Sequence, residues 1–245
     1  MKAVMLAAGV GSRLGAKGGL PKVLLEFGGQ TLLERHIRIL RAAGLESLVL
    51  GIGFEAERIA AAVEKLHAGD FVRLVENPDY EKGSITTLWA LREAMPADEP
   101  ILLMDADVLY DPRLVERLMQ SRHANCFLLD RDVEAGEEPV KLAVQGTQLV
   151  DFNRRIAVPH DFYGESVGFF RLSPEVLKKI LAHAERHLKA GEMDIWYEAA
   201  IRDTLLSEPV GTFGFEDVTG LPWIEIDFPE DIRRAGEEIL PGLPA

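Results

Sequence analysis

Five residues, Lys2 to Leu6, form an apolar run without clean alternation, and glycines follow at once. Such a run reads as a strand buried on both faces. After Val23–Phe27 and a Gly28-Gly29 turn, the period changes to that of a helix. Thr31 with Glu34 forms a capping box, Leu32, Leu33, His36, Ile37 and Leu40 share a face, and Gly44 closes the segment. Leu48–Ile52 predicts a second strand, Glu55–Leu66 a helix ended by Gly69, and Phe71–Val75 a third strand. Strand, helix, strand, helix, strand within 75 residues predicts a parallel sheet covered by helices on both faces.

Ser84 is placed to cap a helix running to about Met95, and Ile101–Met104 is apolar throughout, as a central strand is. Asp111-Pro112 opens the next helix, and Asn125–Leu129 predicts another strand. After Asp130 the pattern turns to hairpins: Val140–Val144 against Gln148–Phe152, then Ser166–Leu172. Helices follow from Ser173 to Lys189 and over Asp194–Leu206. Val210–Phe215 and Trp223–Asp227 predict late strands, and Pro229–Ile239 a terminal helix. The expected fold is α/β: one Rossmann-like domain over 1–245 with a mixed, mostly parallel sheet. Residues 1–130 form a nucleotide-binding half and 131–245 an acceptor-binding half.

Composition narrows the function classes. The net charge of −13 argues against nucleic acid or an anionic membrane as partner. No apolar run approaches the roughly 20 residues that span a bilayer. A single cysteine, Cys126, allows no internal disulfide and suits a cytoplasmic protein. Against this acidic background, residues 1–25 hold Lys2, Arg13, Lys17 and Lys22 and no acid. The cations flank the Gly-rich loop Ala7-Ala8-Gly9-Val10-Gly11, after the first strand, where backbone N–H groups can approach a phosphate closely. A polyanionic ligand fits, nucleotide phosphates best. A dinucleotide fingerprint fails here, because Leu14 stands where the third glycine belongs and no acid closes the second strand.

The stretch Leu6-Ala7-Ala8-Gly9-Val10-Gly11-Ser12-Arg13-Leu14, continued by Pro21-Lys22, matches L-A-A-G-x-G-x-R-L…P-K. It resembles the nucleotidyltransferases that activate sugar phosphates and alcohol phosphates. With Asn77–Gly83, Asp105–Asp107, Gly164–Gly168 and Trp223–Asp231, the chain is most similar to the phosphocholine cytidylyltransferase-like group. The resemblance implies that Leu6, Ala7, Ala8, Gly9 and Gly11 hold a nucleotide, with Gly83, Ser84 and Asp105 beside them. It also implies that Arg13 and Lys22 grip the phosphates. Ser84-Ile85-Thr86 stands where some relatives place asparagines, so the resemblance does not carry over the details of base and acceptor recognition.

Asp105 and Asp107 follow a buried strand, at the sheet edge where open α/β proteins bind ligands. Carboxylates facing a triphosphate need a cation between them, and Mg²⁺ is the usual one. Asp107 is the preferred ligand, while Asp105 serves equally well to cap a turn. Glu225 and Asp227 lie two apart and so share one face of a strand. By resemblance Asp227 is the second metal ligand and Lys141 meets the acceptor phosphate. Tyr163, Glu165, Asp194, Trp196, Tyr197, Glu198 and Trp223 join aromatic rings with carboxylates, as suits an ammonium head group. Asp130, Arg131 and Asn153 would serve a sugar or inositol instead. Two partners are therefore expected: CTP or another NTP, and a phosphorylated small molecule. A homodimer stays open. A sensor that kept the fold would be expected to lose Lys22 or an aspartate, and all are present. His183 and His187 share a helical face but lack the H-E-x-x-H pattern, and read as solvated.

Overall fold

The computed structural model describes residues 1–17, 19–133 and 139–244, with the side chains of 15–17, Lys17 among them, outside the description. Along the chain come β1 (Lys2–Leu6), the short pair β2 (Glu26–Phe27) and β3 (Gln30–Thr31), α1 (Leu32–Ala42), β4 (Leu48–Ile52) and α2 (Ala56–Lys65). Then follow β5 (Val72–Glu76), α3 (Ser84–Leu91), β6 (Ile101–Asp105), β7 (Val108–Tyr110), α4 (Arg113–Gln120) and β8 (Cys126–Asp130). The remainder comprises β9 (Lys141–Gln145), β10 (Gln148–Asn153), β11 (Phe162–Leu172), α5 (Pro174–Lys189), α6 (Glu198–Ser207), β12 (Gly214–Asp217), β13 (Trp223–Glu225) and α7 (Pro229–Arg234).

Among the described residues, nine strands form one sheet with β10-β9-β11-β6-β1-β4-β5 as its main path, β8 on β11 and β12 on β8. β1, β4, β5 and β6 are parallel to one another. β11 runs antiparallel to β6 through Phe169–Leu172, to β9 through Phe162–Glu165 and to β8 through Glu165–Arg171. The fold is thus the expected α/β domain with a mixed, mostly parallel sheet, and both halves of the chain build it.

Strand alternation sorts the core into two layers. Ala3, Met5, Leu102 and Met104 pack with α1, α2 and α4, whereas Val4, Ile101 and Leu103 pack with α3, α5 and α6. On the second face Phe127 sits edge-on to Phe170 (5.1 Å) and Phe152 (5.2 Å) and 5.6 Å from Phe213.

Several elements depart from the pattern-based reading for tertiary reasons. Ser84 does not cap its helix: Gly83 is the N-cap, and the Ser84 hydroxyl accepts the Tyr197 N–H at 3.0 Å. Only glycine fits there, because a Cβ on Gly83 would stand 2.0 Å from the Ile195 carbonyl oxygen. The same contact shortens the helix expected from Asp194. The Gly83 and Ile85 N–H groups donate to Met193 and Ile195 carbonyls, so α6 begins only at Glu198. β12 starts at Gly214 rather than Val210, in register with β8. The terminal helix divides into α7 and a π turn over Ala235–Ile239.

One buried group ties α1 to the turn after β6. His36 is fully buried, with Nε2 3.0 Å from the Ala106 carbonyl and Nδ1 3.3 Å from the Tyr110 hydroxyl. A carbonyl can only accept, so Nε2 carries the hydrogen and Nδ1 accepts from Tyr110. Tyr110 stacks on the imidazole and meets the edge of Phe169.

Removing the central ring in Phe127→Ala is expected to cost about 3–5 kcal/mol, read from urea unfolding followed by circular dichroism. Burial pushes His36 down to about 4. The unfolded chain takes up that proton near pH 6.5 and the folded chain only near pH 4, so stability present above pH 6.5 drains away as pH falls through this window. The gap of about 2.5 pH units corresponds to about 3 kcal/mol. His36→Gln should remove that slope, as seen by comparing denaturation midpoints of both proteins from pH 7 to 4.

Candidate active site

The Gly-rich loop leaves β1 at the carboxyl edge of the sheet and is fixed there by its backbone. The Ala7 N–H donates to Gly51 (2.8 Å), and the Ala8 carbonyl accepts from Phe54 (3.0 Å). Gly11 adopts φ +64°, a left-handed conformation that favours glycine, and its missing Cβ leaves room for the Lys22 stem 3.3 Å away. Leu14, which breaks the dinucleotide pattern, is buried beside Leu25, Phe27, Leu32, Ile224 and Ile226. It anchors the loop to the rest of the fold.

The acidic residues arrive from two distant segments. β7 and β13 form an antiparallel ribbon pairing Val108 with Glu225, and the Ile226 N–H donates to the Asp107 carbonyl at 2.9 Å. That pairing brings Asp227 beside Asp107. Lys22 Nζ lies between them, 2.8 Å from Asp107 Oδ2 and 2.7 Å from Asp227 Oδ1. Arg13 reaches the other oxygen of Asp227 at 3.0 Å and lies over the Phe228 ring. Burial works against the Lys22 charge, but Asp107 and Asp227 outweigh it and hold the ammonium above its ordinary pKa. Asp107, Glu225 and Asp227 each offer an oxygen within 4.8 Å of the others. Two of these hard oxygen donors already hold a positive charge and the third lies beside them, so the set fits a divalent cation.

Asp105 accepts the Tyr197 hydroxyl at 2.9 Å. Gly168, at φ +77°, passes so close that a Cβ would stand 2.2 Å from Asp105 Oδ2. Burial, then the charges of Glu198, Asp107 and Glu225, push Asp105 well above the usual carboxylate range. Burial likewise raises Glu198 to about 7, and its Oε2 has no hydrogen-bond partner. Glu225 is raised by desolvation between the cleft walls and then by Asp107 and Asp227. Its side chain is nevertheless exposed, so the repulsion between carboxylates is the firmer of those causes.

Two cavities meet at these acids. The larger, about 580 Å³, is lined by the loop from Leu6 to Arg13, Lys22, Gly83, Ser84, Asp105 and Asp107. Every residue expected to touch the nucleotide therefore lines one space. The smaller, about 410 Å³, is lined by Asp130, Asp132, Glu165 and Trp223 among others. Asp105, Arg154, Glu198, Glu225 and Asp227 line both. Trp223 Nε1 donates to Asp130 at 2.7 Å.

The acceptor-side expectations divide. Glu165, Glu198 and Trp223 line the smaller cavity, whereas Tyr197 and Trp196 line the larger. Trp196 precedes α6 and is half-exposed rather than part of the core. Tyr163, Asp194, Arg131 and Asn153 line neither cavity, and nor does Lys141. The Lys141 ammonium donates to the carbonyls of Pro139 (3.3 Å) and Arg154 (3.2 Å). Arg154 was not singled out in the sequence, although Arg154-Arg155 is a basic pair in an acidic half. His183 and His187 are not simply solvated: both face Asp203 of α6, which Arg186 also binds. The three acids beside Lys22 remain the one metal-ligating group found among the described residues.

Comparison with known proteins places this geometry. A Rubrobacter xylanophilus protein described as a bifunctional IPC transferase and DIPP synthase is 33% identical over 97% of this chain. The chain covers 52% of that protein, and it spans about half the length of the curated relatives it matches. The inositol-1-phosphate CTP transferase of T. maritima superposes with a TM-score of 0.74 at 21% identity, covering 100% of this chain and 98% of the other. The CTP:phosphocholine cytidylyltransferase of Streptococcus pneumoniae superposes equally well, at 0.74 and 22% identity, covering 96% and 97%. Residues 3–164, from β1 into β11, match the model of one family throughout, and the chain belongs to that family, the MobA-like NTP transferase domain.

Proposed function

We propose that this chain is a Mg²⁺-dependent cytidylyltransferase that joins CTP to a phosphorylated amino alcohol of the phosphocholine kind, giving a CDP-alcohol and pyrophosphate. The observation that carries the reading is the Lys22 ammonium held between Asp107 and Asp227, where a cavity with a Gly-rich loop meets an acid-lined one. The larger cavity accommodates the nucleotide, with Arg13 and Lys22 as donors to its phosphates. The smaller accommodates the acceptor.

An oxygen of the acceptor phosphate attacks the α-phosphorus in line. The bond from that phosphorus to the bridging oxygen breaks, and pyrophosphate leaves with the electron pair. The nucleophile is already an anion near neutral pH, so no general base is required, and the protein contributes position and charge neutralisation. A divalent cation on Asp107 and Asp227, with Glu225 beside them, would neutralise the α-phosphate and polarise it. Asp105, fastened by Tyr197 and Gly168, keeps the β6 terminus in place beneath it.

The acceptor class rests on charge. Asp130, Asp132, Glu165 and Glu198 line the smaller cavity with Trp223, a lining that favours a cationic head group over a neutral one. Inositol phosphate is the second reading, supported by the likeness to the inositol-1-phosphate CTP transferase of T. maritima and by the same carboxylates as hydroxyl acceptors.

A pyrophosphate-release screen of four NTPs against phosphocholine, inositol 1-phosphate and a sugar 1-phosphate tests both readings. CTP with phosphocholine should exceed the sugar 1-phosphate at least about tenfold. A preference for a purine nucleotide refutes the base assignment, and one for inositol phosphate selects the second reading. Lys22→Ala should lower kcat/KM by about 10²–10³. Asp107→Ala and Asp227→Ala should each abolish chelator-sensitive turnover, with strongly non-additive effects because they share one ion.

A further inference from the structure

Four aromatic side chains line the smaller cavity, and three of them are committed elsewhere. Phe152 and Phe170 are buried in the core, where they meet edge-on at 5.9 Å. Phe228 has the Arg13 guanidinium over its ring. Trp223 is half-buried, and the cation–ring pairs among the described residues fall on Phe71, Trp89, Phe162, Trp196 and Phe228, not on it. Its indole Nε1 donates to Asp130 Oδ2 at 2.7 Å. We infer that Asp130 is a positioning residue that acts through Trp223: it fixes the plane of the indole and enriches the π face that receives a cationic head group. In this arrangement Asp130 serves the ring rather than the hydroxyls of a sugar or inositol.

Asp130 is itself held firmly. It is buried at the end of β8, opposite Glu165 of β11. β11 passes so close that a Cβ on Gly164 would stand 2.6 Å from the Asp130 carbonyl oxygen. Asp130 Oδ1 accepts the Asp132 N–H at 2.9 Å, so each carboxylate oxygen already holds a donor from the protein. The Arg131 N–H beside it donates to Thr219 Oγ1 at 2.8 Å. Trp223 opens β13, opposite Tyr110, so the bond crosses from the main sheet to the ribbon that carries Glu225. An indole pinned at its N–H edge is ordered before a ligand arrives, which removes that ordering cost from binding. A hydrogen bond to a carboxylate also moves electron density into the ring and deepens its attraction for a cation over its face. A neutral head group gains only the first effect. A tie that merely joined β8 to the ribbon would change stability without changing the preference between charged and neutral acceptors.

The inference rests on the reading of a cationic acceptor, and its test separates the two. Phosphocholine and 3,3-dimethylbutyl phosphate, which has the same shape with an uncharged head group, are titrated calorimetrically into protein saturated with Mg²⁺ and α,β-methylene CTP. The wild type should prefer phosphocholine at least about tenfold. Trp223→Leu removes the π face and should lower that preference about fivefold or more. Trp223→Phe keeps a face but no N–H donor and should lower it about two- to threefold, as should Asp130→Ala. In the Trp223→Leu background Asp130→Ala should change it less than about twofold further, because a residue that acts only through the ring has nothing left to act on. Trp223→Phe breaks the same bond from the side of the ring, and so carries the test where Asp130→Ala does not fold. A preference undiminished in Trp223→Phe, or an Asp130→Ala effect of full size in Trp223→Leu, overturns the assignment and leaves the cationic-acceptor reading standing. Equal affinity of the wild type for both ligands, or binding of neither, refutes that reading and the assignment with it.

Discussion

Repulsion among carboxylates governs this cleft. Asp105, Asp107, Glu198, Glu225 and Asp227 converge where two cavities join, and each ionised one raises the cost of ionising the next. Two routes of relief coexist. Asp107 and Asp227 share the Lys22 ammonium, and Asp227 also takes Arg13. Asp105, Glu198 and Glu225 are instead pushed toward protonation. Asp107 and Asp227 are thus bound to the cations of the Leu6–Lys22 stretch. Any ligand that enters must therefore bring or redistribute positive charge, which makes binding of a polyanion and binding of a cation parts of one event.

The fold pays a backbone price to hold that arrangement. Asp107 and Asp227 meet through the two-stranded β7–β13 ribbon, not through the main sheet, so their spacing depends on how the ribbon sits against α1 and β11. His36 supplies the α1 side of that support through the Ala106 carbonyl and Tyr110, and Phe169 supplies the other through the Tyr110 edge. Gly168 lets β11 run close beneath Asp105, and there the β8 pairing slips in register between Ser166 and Phe170. The irregularity lies where strand and acid approach most closely.

What sequence patterns revealed was local chemistry and local periodicity. The loop from Leu6 to Lys22, the buried β6 run with Asp105 at its end and Asp107 just beyond, and the nearness of Glu225 to Asp227 all rest on neighbours within a few residues, although the expected strand over Trp223–Asp227 ends at Glu225 and leaves Asp227 beyond it. What they missed required contacts between distant segments. Ser84 looks like a helix cap until Ile195 excludes any Cβ at Gly83 and Tyr197 claims the hydroxyl. Asp194–Tyr197 stays outside α6 because the carbonyls of Met193 and Ile195 accept from Gly83 and Ile85. Lys141 alternates with apolar neighbours as a cavity-facing lysine would, but the hairpin turns its ammonium onto two carbonyls. Arg154 sits at the mouth of the same hairpin, where periodicity carries no information about direction.

On the proposed reading, the difference between the two cavities has a consequence for selectivity. The larger cavity, read as the nucleotide side, combines the Gly-rich backbone with four cations, Arg13, Lys22, Lys82 and Arg154, among its acids, a surface suited to phosphate chains whatever else they carry. The smaller, read as the acceptor side, is the more acidic, with Arg154 and Arg234 as the cations of its described lining and Trp223 tied to Asp130 at its wall. Discrimination among acceptors therefore falls on the end of the molecule remote from the reacting phosphate. A cationic head group would offset the carboxylate repulsion that adds to burial in raising Glu198, whereas a neutral polyol would have to find hydrogen-bond geometry among the same carboxylates without offsetting it. Because the relief acts on groups that line both cavities, the identity of the head group is felt at the junction itself, and not only in the pocket that holds it.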